Sequence, residues 1–113
     1  MTLILPFREA IVSDWESALA RDEWFFSRVE DGIATELSPS EAFAAIDEVA
    51  TLMQQQTEPL FQWRCGYFLI ALAQRFETME IPSGLRRAWE TVLGLLREYP
   101  DIVGRLRSWY RQP

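Results

Sequence analysis

The longest apolar stretch of the chain, Pro59 to Phe76, places hydrophobic side chains almost all the way round a helix of about 3.6 residues per turn. Its main polar stripe is narrow, with Arg64 and Arg75 in line with Phe68 and Ala71. A helix apolar on most sides is stable only when other helices surround it, so this segment predicts the central element of a helical pack. It is too short and too charged for a membrane span, because Arg64 lies well inside it. Gly66 in its interior costs about 1 kcal/mol against Ala, which close approach of a neighbouring helix would offset.

The remaining pattern is helical as well. Phe7, Ala10, Ile11, Ala18 and Leu19 fit one face, and helical character is expected through Val29 with a break near Arg21–Asp22. Ser13-Asp14-Trp15-Glu16 has the form of a capping box in which Ser13 accepts from the Glu16 amide, although the same residues fit the inside of one longer helix. Asp31-Gly32 reads as a helix stop, with residues 33–37 as loop. Ser38-Pro39-Ser40-Glu41 is the cleanest local signal: Ser38 caps, Pro39 takes the first helical position, and Glu41 closes the box. The helix that follows buries Ala42, Ile46, Val49, Ala50 and Met53, shows Asp47, Glu48 and Thr51 to solvent, and fades at Gln54-Gln55-Gln56. Thr57 or Glu58 then opens the central helix.

After a connector from Thr78 to Pro82, a fourth helix has the face Leu85, Ala88, Trp89, Val92, Leu95, Leu96 and Tyr99. Arg86, Glu90 and Arg97 share its outer side, where Arg86 and Glu90 are spaced as an i,i+4 pair. Pro100 ends this helix and begins the last, with Ile102, Val103, Leu106, Trp109 and Tyr110 facing inward. No window shows sustained strand alternation bounded by hairpin turns. The prediction is all-α: about five helices with antiparallel neighbours, and Leu69, Leu72, Trp89, Val92 and Leu96 in one core.

At 113 residues the chain is read as one domain, 1–113, long enough for a core without staples. The single Cys65, set in the most apolar helix, reads as a small buried hydrophobe in a reducing compartment. The apolar run Leu3-Ile4-Leu5 stops at Pro6 and Arg8, too early for a signal peptide, so a cytoplasmic location is expected. The net charge of −6 is unevenly laid out. Residues 1–60 hold twelve acids against three arginines, a balance of −9, whereas residues 61–113 hold eight arginines against five acids, a balance of +3. A surface with an acidic side follows.

Candidate chemistry is sparse. The chain has neither His nor Lys, which removes the Ser-His-Asp, Cys-His and Schiff-base arrangements, and Cys/His zinc sites are excluded by count. Asp47 and Glu48 are adjacent and so point to different faces, Glu77 and Glu80 read as solvated loop acids, and the glycines are scattered singly rather than in a phosphate-binding loop. No catalytic residue, metal or cofactor is expected. Arg105, Arg107 and Arg111 with Trp109 and Tyr110 have the composition of a nucleic-acid contact. The acidic whole opposes phosphates, however, and the two aromatics fit the core spacing of Ile102 and Leu106, so nucleic acid is not the expected partner.

One acidic and aromatic segment remains, from Arg21 to Asp31. Trp24, Phe25 and Phe26 cannot all face one core from a helix, so at least one is expected at the surface. Aromatics anchor and charges steer, which makes Asp22, Glu23, Trp24, Phe25, Glu30, Asp31 and Glu36 the candidate partner-binding residues. A locally distorted helix that buries two of the three aromatics fits the same residues.

Thr78-Met79-Glu80-Ile81-Pro82, then Leu85 and Trp89, Tyr99-Pro100, and finally Leu106 with Trp109-Tyr110-Arg111 resemble the C-terminal parts of small all-helical, HEAT-like bacterial immunity proteins. These accompany the toxins of contact-dependent growth inhibition and other polymorphic toxin systems. The aromatic-rich helix from Phe61 to Leu72 is similar in style, and the likeness covers the second half of the chain. It implies a HEAT-like bundle and a non-enzymatic inhibitor, monomeric before it binds, that occludes the active site of one cognate toxin domain, commonly a nuclease. It carries over no site residue. A helical adaptor or regulatory subunit, and an acidic mimic of nucleic acid, are the competing readings.

Overall fold

The computed structural model describes residues 3–77 and 79–112. Thr78, with which the predicted connector and the resembling motif begin, lies outside them. Among the described residues the fold is all-helical, and it has eight helices where the periodicity suggested about five. They are α1 (Leu5–Val12), α2 (Trp15–Arg21), α3 (Phe25–Glu36), α4 (Pro39–Gln55), α5 (Pro59–Arg75), α6 (Ser83–Arg87), α7 (Trp89–Leu95) and α8 (Pro100–Tyr110).

The two longest helices, α4 and α5, form the most extensive interface. α4 starts as its sequence requires: Ser38 Oγ accepts from the Glu41 amide at 3.3 Å, and the Glu41 carboxylate accepts from the Ser38 amide at 3.0 Å. The Ser38 amide first, and the Ser38 hydroxyl second, hold the Glu41 carboxyl below the usual carboxylate range. Pro59 sits in the first turn of α5, where its missing N–H is harmless. Ala42, Ile46, Val49, Ala50 and Met53 of α4 are buried, as are Phe61, Cys65, Phe68, Leu69 and Leu72 of α5. Around this pair, α3 and α8 pack on α5, α6 and α7 pack on α4, and α1 packs on α3. Leu69, Leu72, Trp89, Val92 and Leu96 share one continuous core, as expected.

Gly66 lets that core close. A Cβ built there would lie 2.8 and 2.9 Å from the Leu96 methyls and 3.3 Å from Ile102, so the space a side chain would take is filled by the end of α7 and by α8.

Several local expectations are overturned. Gly32 does not stop a helix: α3 runs through it to Glu36, because Ile33 and Ala34 continue the apolar face of Phe26 and are buried. Ser13 closes α1, its hydroxyl donating to the Ala10 carbonyl at 2.7 Å, and Asp14 caps α2 in its place. The predicted fourth helix is two, parted at Ala88 (φ −94°, ψ 5°), where neither Gly nor Pro marks the break. Among the described residues no ion pair joins Arg86 to Glu90 across it. Asp47 and Glu48 are not solvated acids either. Glu48 accepts from the Leu3 amide at 3.1 Å. Asp47 accepts from the amides of Gly84 at 3.1 Å and Leu85 at 2.7 Å, so it caps α6 from a neighbouring helix.

The last contact depends on glycine, since a Cβ on Gly84 would fall 2.6–2.8 Å from the Asp47 carboxylate. We therefore expect Asp47→Ala to cost about 1–2 kcal/mol, the loss of a helix cap. Gly84→Ala should also destabilise, although alanine favours a helix. Urea unfolding of both single variants and the double should show strong non-additivity, because either change breaks the same contact. Additive losses would contradict this cap.

Candidate protein-binding face

The acidic and aromatic segment forms the turn between α2 and α3 and the body of α3. Asp22 ends α2, accepting through one carboxylate oxygen from the Trp24 amide at 3.0 Å and through the other from Arg28 Nε at 2.7 Å. The amide bond first, and Arg28 second, hold its carboxyl below the ordinary range. Asp22 is thus a fixture of the turn, already matched in charge by Arg28. That reduces its part in steering a partner.

The three aromatics separate as helix geometry demands. Trp24 is 59% exposed, Phe25 is half-buried, and Phe26 is buried. Phe25 packs edge to face on Phe26 at 5.1 Å, and Phe26 in turn meets Phe7 at 6.3 Å.

Glu30 departs most from its predicted role. It is 5% exposed, and its carboxylate accepts from Arg64 Nε at 2.8 Å. Arg64 also donates to Ser27 Oγ at 3.2 Å, and its guanidinium lies 5.5 Å from the ring centroids of Phe26 and Trp63 and 5.2 Å from that of Tyr67. Burial pushes the Glu30 carboxyl up to about 7, and Arg64 offsets only part of that rise. A carboxylate enclosed in this way cannot meet a partner, so Glu30 leaves the candidate set. Its burial was readable from spacing, since Phe26, Glu30, Ile33 and Ala34 share one helical face.

Glu23, Asp31 and Glu36 are exposed, as predicted. Beside them is a feature that periodicity did not suggest. An apolar groove of about 300 Å³ runs along α3, walled by Leu3, Pro6, Val29, Ile33 and Leu37, with Arg28 and Glu36 also lining it. Gly32 forms part of the wall, and a side chain built there would meet nothing within 4 Å.

Elsewhere the polar chemistry is structural. Cys65 is fully buried, and burial pushes its thiol up to about 12, with Glu30 adding to the rise. Among the described residues no three acids or cysteines stand together as a metal site, and no helix is long and apolar enough to cross a membrane. No family model matches the chain, and neither a curated protein nor a solved structure is similar enough to count as a match.

The buried acid makes a pH prediction whose sign is fixed. A folded-state value near 7 lies above the ordinary 4.5, so the folded protein takes up this proton more readily than the unfolded chain. That contribution to stability is full below the ordinary value and is lost as pH rises through about 7. Glu30→Gln cannot titrate. The stability of the unsubstituted protein relative to this variant should therefore grow as pH falls from about 8 to about 5.5 in urea unfolding. A flat or opposite difference would contradict the burial of Glu30.

Proposed function

We propose that this chain is an immunity-type inhibitor, a non-catalytic, HEAT-like helical protein that neutralises a basic toxin domain by covering its active site with α3. The observation that carries this reading is Trp24, a large aromatic 59% exposed at the start of an acidic helix and followed along it by an apolar groove. Indole rings left at the surface among charges are typical anchors of protein interfaces. Glu23, Asp31 and Glu36 supply negative charge that no internal arginine takes up among the described residues. A nuclease must present positive charge to phosphates, so an acidic face competes for its cleft and is drawn to it quickly. The groove beside Gly32 then receives an apolar side chain of the toxin. On this reading the protein acts in the cytoplasm and is monomeric until it meets the toxin.

The test is co-expression with the toxin domain encoded beside it, followed by binding kinetics on the purified pair. Growth should be restored, and raising salt from about 0.05 to 0.5 M should slow association about tenfold while dissociation changes less. Trp24→Ala should weaken binding about tenfold or more. Reversing Glu23, Asp31 and Glu36 to Arg should weaken it far more than reversing Arg86 and Arg97 to Glu, with both variants folded. Tight binding by the acid-reversed protein would refute the acidic-face mechanism. Absence of any rescue would refute the function.

A further inference from the structure

A second surface, of opposite charge, lies between α5 and α8. Arg105 and Trp109 are one helical turn apart on α8, and the Arg105 guanidinium lies 6.0 Å from the centroid of the Tyr67 ring on α5. Tyr67 is itself 37% exposed and carries the Arg64 guanidinium at 5.2 Å. Arg105, Trp109 and Arg111 line a groove of about 570 Å³ together with Met79, which is 46% exposed, and Ser108. Neither Arg105 nor Arg111 is in an ion pair among the described residues. Gly104 lies on the same wall, mid-helix, and a Cβ there would meet nothing within 4 Å.

We propose that this groove binds a short acidic protein segment, its carboxylates held by Arg105 and Arg111 and an adjacent apolar side chain resting on Trp109 and Met79. Guanidinium groups present paired N–H donors that match carboxylates, and a guanidinium set over an aromatic ring loses less freedom when it binds. The aromatic and thioether surfaces supply contact area that a bare cluster of charges lacks.

The occupant is a protein segment rather than a nucleic acid for three reasons. Arg107 is not among the lining residues, which leaves two cations in the groove, too few to follow a phosphate chain. Asp101 lines the groove as well and repels a continuous polyanion, whereas a peptide can place a neutral residue there. The chain as a whole carries −6. Because the groove lies on α8 and not on α3, its failure would leave the inhibitor reading untouched.

The experiment measures fluorescence anisotropy of a fluorescein-labelled octapeptide of alternating glutamate and phenylalanine, titrated with the full chain at low salt. Saturable binding is expected, together with a loss of about tenfold or more in Arg105→Glu/Arg111→Glu. Gly104→Leu should block the groove to a similar degree while keeping or raising the melting temperature, since its side chain enters open space and leucine favours a helix. Arg86→Glu/Arg97→Glu should bind as the unsubstituted protein does, and a peptide with lysine for glutamate should not bind. Failure of the acidic peptide to bind, equal binding by the Arg105/Arg111 variant, or tighter binding of an octathymidylate would each overturn the proposal.

Discussion

A guanidinium carried into the middle of an apolar helix has to find an anion, and in this chain the anion comes from another helix. Arg64 of α5 is 11% exposed at its side chain and meets Glu30 of α3 at 2.8 Å. Leaving either charge alone in that environment would cost several kcal/mol, so the two helices are held in one rotational setting. The rings of Phe26, Trp63 and Tyr67 surround the same guanidinium and restrict it further. With Phe26 and Glu30 turned inward, the helical period sends Asp31 and Glu36 outward, and Trp24 is left at the exposed start of α3.

The two surfaces to which we assign binding both follow from this arrangement. α3 presents acids, an exposed indole and an apolar groove on one side of the pair, while the outer edge of α5 joins α8 through Tyr67 and Arg105. The acids exposed on α3 and the arginines lining the α8 groove therefore lie on different elements, although Arg64 of the second half is matched by Glu30 of the first. A domain with faces of opposite sign can hold a basic partner and an acidic segment at once, with charge setting the speed and choice of encounter and the aromatics supplying most of the hold.

Much of the fold was legible because it rests on local chemistry. The Ser38-Pro39-Ser40-Glu41 box, the proline starts of α5 and α8 and the apolar face of α4 obey rules that act within one or two turns. The errors came where tertiary contacts override such rules. Gly32 resembles a stop, yet burial of Ile33 and Ala34 carries the helix through it. Asp47 and Glu48 read as solvated because their partners, Gly84, Leu85 and the Leu3 amide, are about forty residues away in sequence. Within the candidate face, the surface aromatic was predictable from the impossibility of burying three neighbours. Glu30 has the charge of a surface residue but the spacing of a core one, and Arg64 inside an apolar helix calls for a buried acid.

The most direct test is a double-mutant cycle on Glu30 and Arg64, measured by urea unfolding near pH 8, where both groups are charged. Glu30→Gln, Arg64→Met and the double variant isolate the coupling between α3 and α5. If this buried pair sets the orientation of α3, Arg64→Met should be strongly destabilising because it leaves the Glu30 carboxylate without its offsetting charge, and adding Glu30→Gln should recover about 2 kcal/mol or more of that loss. The exposed Asp22–Arg28 pair should show far weaker coupling. A coupling between Glu30 and Arg64 no larger than that of the exposed pair would mean that another constraint orients α3, and with it the acidic face.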